Sequence, residues 1–140
     1  MTIELRPKPE GSDPIWILHV DDEPAHLEIT RIYLKREAKD DFEIVSVPSA
    51  RKALEKLETD DFDVIVSDYK MPKMNGLEFL CAVKKSEKYA NIPFVLFTSM
   101  SEPEVVDEAL NKGAERYVAK SGSPATQCNQ LALAIRGLFT

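Results

Sequence analysis

Five short runs rich in β-branched and aromatic residues alternate along this chain with segments whose apolar residues recur at helical spacing. The runs are Ile15 to Val20, Glu43 to Val47, Val64 to Ser67, Phe94 to Phe97 and Arg116 to Ala119. Between and after them, a helix is predicted from Pro24 to about Arg36, with proline in its first turn. Ala50, Ala53, Leu54 and Leu57 fall at i, i+3, i+4 and i+7 and define a second helix. A third starts near Gly76, a fourth carries Val105, Val106, Ala109 and Leu110 and is ended by Gly113, and a fifth carries Leu131, Ala134, Ile135 and Leu138. Strict strand–helix alternation leaves one economical solution, an α/β domain with a doubly wound parallel sheet of five strands and five helices.

Runs one, three and four are continuously apolar, as central strands covered on both faces should be. A flavodoxin-like strand order of 2-1-3-4-5 puts the topological switch point between strands one and three, where ligands bind at the carboxyl ends of the strands. Strand one ends in Asp21-Asp22-Glu23-Pro24, and strand three ends in Ser67-Asp68 before a turn-rich stretch, Tyr69 to Gly76. Asp21, Asp22 and Asp68 would therefore meet at one sheet edge. Three carboxylates in one crevice repel, and they respond either by holding protons at raised pKa or by sharing a hard divalent cation through oxygen. A solvent-open cleft favours the second, with magnesium the expected ion. Strand four delivers Thr98 and Ser99 to the same edge, and strand five delivers Lys120. A nucleophilic carboxylate, a metal, a hydroxyl donor and a counter-charge are the equipment for phosphoryl transfer to an aspartate.

The 140 residues and 44% hydrophobic content suit one domain with an ordinary core, and no stretch has the apolar length of a membrane span. A net charge of −6 without any basic block argues against direct nucleic-acid binding. Cys81 and Cys128 lack metal-ligand spacing and read as reduced thiols. Residues 1–13 are proline-containing and polar, unlike a signal peptide, and are expected to form a flexible leader on a cytoplasmic protein.

Val20-Asp21-Asp22-Glu23-Pro24, Val66-Ser67-Asp68-Tyr69-Lys70-Met71-Pro72-Lys73-Met74-Asn75-Gly76, Thr98-Ser99, Gly113-Ala114 and Tyr117-Val118-Ala119-Lys120 occur in this order. The series resembles the signature of two-component response-regulator receiver domains, over roughly residues 14 to 138. The resemblance implies a receiver domain over 14–140 acting in a phosphorelay. Asp68 would be the phosphoacceptor, charged by a sensor histidine kinase or a histidine phosphotransfer protein. Asp22 would ligate Mg2+ directly, Asp21 would assist through water, and Asp68 and the backbone carbonyl of Lys70 would complete the protein ligands. Thr98 would bond a phosphoryl oxygen, Lys120 would pair with the phosphate, and Tyr117 would turn inward as Thr98 moves. The surface of the fourth helix, fifth strand and fifth helix would read out the change to a downstream protein, and a phosphorylation-dependent homodimer stays open. Such a domain catalyses only its own phosphorylation and dephosphorylation.

Other readings compete. Singly, Asp21 or Asp22 reads as a turn cap, Lys120 as a solvated cation and Tyr117 as packing; pairing opposite Asp68 argues against the first two. His19 and His26 are assigned to structure, and Met71 and Met74 to loop packing. An aspartyl-phosphate phosphatase would place an acid where Lys70 stands, and a nucleotide or flavin carrier would need a glycine-rich first turn. A receiver-like scaffold that never accepts phosphate would normally lack one of the site residues. One departure from the family pattern matters. Lys120 is followed by Ser121 rather than proline, and a cis bond to serine costs about 2.5–4 kcal/mol, so a trans or a strained connection is expected. Lys70 and Met100, two residues after Asp68 and Thr98, lack an amide or acid to orient a hydrolytic water, which implies slow self-dephosphorylation.

Overall fold

Strand residues whose side chains are buried on both sides pull the sheet to the centre of the molecule. The computed structural model describes residues 13–99 and 102–139. Its strands are β1 (Ile15–Val20), β2 (Phe42–Val47), β3 (Val64–Ser67), β4 (Phe94–Thr98) and β5 (Arg116–Ala119). Its α-helices are α1 (Pro24–Ala38), α2 (Ala50–Thr59), α3 (Gly76–Lys84), α4 (Pro103–Asn111) and α5 (Pro124–Arg136). All strand pairs are parallel, in the order β2-β1-β3-β4-β5, which is the doubly wound order expected from the sequence. The expected leader, residues 1–13, lies outside the described residues except for Asp13, and so does Met100.

The two faces of the sheet build two cores. Leu18, Val20, Ile65, Phe94 and Leu96 point into a cluster with Ala53 and Leu57 of α2, Phe79, Leu80 and Val83 of α3, and Ala109 of α4. Ile15, Ile17, Val64, Val66, Val95 and Phe97 point the other way, toward Leu34 and Ala38 of α1 and Leu131, Ala132 and Ile135 of α5. Burying an aliphatic side chain of this kind is worth about 1.5–3 kcal/mol, so the two clusters together fix the register of every central strand. The edges of the elements depart from the sequence reading by small amounts. α1 runs on to Ala38 and is followed by a single 3-10 turn, Lys39–Asp41, with Lys39 at φ 51°. Trp16, read as part of a continuous buried run, is 44% exposed at the amino end of β1. The Lys120–Ser121 bond is trans, since no described peptide bond is cis; the loop into α5 therefore takes the unstrained alternative.

α3 starts where the loop after β3 must return to the sheet, and its first turn is tightly specified. Asn75 caps the helix, accepting from the Glu78 N–H, while the Glu78 carboxylate accepts from the Asn75 N–H, a reciprocal capping box. Gly76 donates its N–H to the Tyr69 carbonyl at 2.7 Å. A Cβ at this position would stand 2.3 Å from the Asp68 carbonyl oxygen. Gly76→Ala is therefore expected to destabilise the fold by about 1–3 kcal/mol, the usual range for overpacking, measured by urea unfolding; unchanged stability would show that the loop yields without strain.

His19 lies in β1 at 1% exposure, and its Nδ1 finds no hydrogen-bond partner. Burial pushes its imidazole down to about 4; the Asp21 charge works against this, and Lys120, Arg31 and His26 add to it. The unfolded chain takes up this proton near pH 6.5, whereas the folded chain refuses it until about pH 4. Stability is full above pH 6.5 and is lost as pH falls through that window, by up to about 3 kcal/mol. In His19→Leu this part of the acid dependence should vanish. Parallel decline of parent and variant between pH 6.5 and 4 would overturn the assignment.

Candidate functional site

The carboxyl ends of β1, β3, β4 and β5 converge because parallel strands all deliver their last residues to one edge. Asp21 follows β1 directly and is fully buried. Its backbone N–H bonds the Val47 carbonyl at 3.3 Å, so the β1–β2 ladder sets its position. Oδ1 accepts from the Glu23 N–H at 2.9 Å, and Oδ2 accepts from the Lys120 ammonium at 2.7 Å. Burial by itself would raise the pKa of this carboxyl; the hydrogen bonds from Lys120 and the Glu23 N–H, with the Lys120 and His19 charges, hold it below its ordinary 3.8. Asp21 is thus a carboxylate at any physiological pH.

Asp68 follows β3 and is tied down in the same manner. Its N–H donates to the Val20 carbonyl at 3.0 Å, and its Oδ1 accepts from the Tyr69 N–H at 2.7 Å. Its Oδ2 lies 3.3 Å from the Lys120 ammonium. One lysine thus bridges two carboxylates, with only 10% of its side chain exposed, against 14% for Asp68. Lys120 itself is placed by its N–H, which donates to the Thr98 carbonyl at 3.0 Å across the β4–β5 pair. Asp21, Asp22 and Asp68 each bring a carboxylate oxygen within 4.8 Å of the others. An all-oxygen, three-carboxylate donor set is what a hard divalent cation such as magnesium takes.

The cleft over this cluster has a volume of about 360 Å3 and is lined by Glu23, His26, Asp68, Lys70, Thr98, Ser99, Glu102 and Lys120. Asp22 instead lines the neighbouring hollow with Tyr69, Lys70, Met71, Pro72 and Asn75, so Lys70 borders both. Thr98 is 2% exposed at the end of β4. Tyr117 does not line the cleft: it is half-buried and packed against the α2–α3–α4 core.

His26 is the residue that sequence reasoning placed in the structural background and the fold places at the site. It sits in the first turn of α1, lines the cleft, and holds Nδ1 3.6 Å from Asp21 Oδ2 and Nε2 3.5 Å from Glu23 Oε2. Its signal in the sequence is its position three residues after Glu23, in the turn that opens directly from the acidic strand tip. Phe97 was also missed: the Lys120 ammonium lies 5.1 Å from the centre of its ring.

Similarity to known proteins agrees with this geometry. The model of the response regulator receiver domain matches residues 17–132. The two-component response regulator ORR8 of Oryza sativa subsp. indica is 37% identical over 105 residues, covering 74% of this chain and 84% of that protein. ORR1 of Oryza sativa subsp. japonica is 32% identical over 111 residues, and the chain spans about half of its length, 48%. Among solved structures, the chemotaxis response regulator CheY4 of Vibrio cholerae superposes with a TM-score of 0.74 at 30% identity, over 86% of this chain and 98% of that one. A family match that runs from β1 into α5, on a sheet of the same order, leaves one conclusion: the chain belongs to the response regulator receiver domain family, the domain of two-component phosphorelay signalling.

Proposed function

We propose that the chain is a phosphorylation-driven switch in which Asp68 accepts a phosphoryl group from a phosphohistidine on a sensor histidine kinase or a histidine phosphotransfer protein. The single observation that supports this best is the bridge of Lys120 across Asp21 and Asp68 beneath an open cleft. A carboxylate oxygen of Asp68 attacks phosphorus, the phosphorus–nitrogen bond breaks, and the imidazole leaves with the electron pair. Asp21, Asp22, Asp68 and the Lys70 carbonyl would hold Mg2+, whose chemistry is to neutralise phosphoryl oxygens. The transferred group brings about 1.5–2 negative charges to one point. Lys120 then exchanges its carboxylate bridge for the phosphoryl oxygens, and the Thr98 hydroxyl donates to one of them. Tyr117, on the same sheet face as the Leu96 and Thr98 positions of β4, is the aromatic that follows Thr98. The α4–β5–α5 surface carries the result to a protein partner or to a second copy of the chain. Among the described residues no helix is long and apolar enough to cross a membrane, and a cytoplasmic site of action without direct nucleic-acid contact fits the reading. A scaffold that never takes phosphate is disfavoured because Asp21, Asp22, Asp68, Thr98 and Lys120 are all present.

Intact-mass measurement after incubation with magnesium and acetyl phosphate should show a gain of one phosphoryl group that needs magnesium and is absent in Asp68→Asn. Equal gain by the variant would move the acceptor elsewhere; no gain by folded parent protein, together with no binding of beryllofluoride, would overturn the switch in favour of the scaffold. Lys70 and Met100 supply no amide or acid at the positions after Asp68 and Thr98, so the phosphorylated form should outlast minutes once donor is removed. Decay within seconds would contradict this.

A further inference from the structure

A lysine is a poor fixed charge. Its four-carbon stem has many rotamers, and its ammonium is strongly hydrated, so an unassisted lysine at a cleft mouth spends its time in water. Lys120 is instead held from three directions. Asp21 Oδ2 lies 2.7 Å away, Asp68 Oδ2 3.3 Å away, and the Phe97 ring centre 5.1 Å away, within the range over which a ring face attracts a cation. Phe97 is 1% exposed and immediately precedes Thr98 in β4, on the sheet face that looks toward α1 and α5. The His19 ring packs beside it, centroids 6.5 Å apart at 48°.

We propose that Phe97 is a positioning residue for phosphoryl uptake, its ring face keeping the Lys120 ammonium on the floor of the cleft. The inference rests on Asp68 being the phosphoacceptor. Asp21 cannot do this work alone, because its carboxylate belongs to the same three-carboxylate donor set that suits a divalent cation, and an ion drawing on that carboxylate weakens its hold on the lysine. The ring has no such second claim on it. As the phosphoryl group reaches Asp68, the ammonium needs only a small shift from carboxylate to phosphoryl oxygen, still over the ring, instead of a search back from solvent. A leucine of comparable bulk would fill the space and offer no negative face.

The test uses the full chain with Phe97 replaced by mono-, di- and trifluorophenylalanine, which weakens the ring face in steps at nearly constant volume, and with Phe97→Leu as the end point. Two quantities are read. Without metal or phosphodonor, the ε-methylene protons of Lys120 should be shifted upfield by the ring in the parent and return to ordinary values in Phe97→Leu. With magnesium and acetyl phosphate, the rate of phosphoryl uptake should fall in step with fluorination, the whole series spanning about two- to thirtyfold. Parent uptake with rates flat across the series would overturn the positioning role and leave the receiver reading intact. An unshifted Lys120 signal would overturn the contact itself, whereas absence of uptake by the parent would overturn the reading and the role together. Should Phe97→Leu fail to fold, the fluorinated series carries the decision.

Discussion

A single ammonium shared between two carboxylates is the interaction on which the site depends. Asp21 has no solvent exposure, and burying an unpaired carboxylate beside two others would cost several kcal/mol. Lys120 makes that burial tolerable, and it is in place to do so because β5 runs parallel to β4 and delivers its last residue to the same sheet edge. The strand ladders thereby decide the chemistry. Asp21 is pinned by Val47, Asp68 by Val20 and Lys120 by Thr98, each through a backbone hydrogen bond, so the side chains start from fixed roots.

The loop after β3 answers to a different constraint. It must leave the sheet with an acid at its start and come back as a helix within a few residues. The Asn75–Glu78 capping box and the close approach of Gly76 to the Asp68 carbonyl meet that demand. Local sequence, ladder geometry and site chemistry agree here, which is the mark of a sequence that specifies one structure.

Much of this was legible in the amino-acid sequence because both sheet faces are covered: Ile15-Trp16-Ile17-Leu18-His19-Val20 and Val64-Ile65-Val66 stand out as apolar runs between helical periods. The acidic tips were legible because a turn-forming stretch follows each of them. What escaped was set by tertiary docking. The 3-10 turn Lys39–Asp41 is polar and aperiodic, and nothing local distinguishes it from a loop. His26 enters the site only through the rotation of α1 about its axis, and Phe97 matters only once a lysine from β5 arrives over its ring. Trp16 is exposed because it points to the α2–α3 face of the sheet, whose cover stops short of the amino end of β1, while Ile15 beside it is buried on the other face; an apolar run does not reveal this.

The helices differ sharply in how firmly they are anchored. α3 buries Gly76, Leu77, Phe79, Leu80 and Val83, and α5 buries Cys128, Leu131, Ala132 and Ile135. α4 fully buries one residue, Ala109, with Val105 half-buried against the same cluster. Hydrophobic anchorage scales with apolar area removed from water, and a buried alanine supplies little of it. By this measure α4 is less firmly held than α3 or α5, so of the three it offers the least hydrophobic resistance to a rearrangement at the tip of β4.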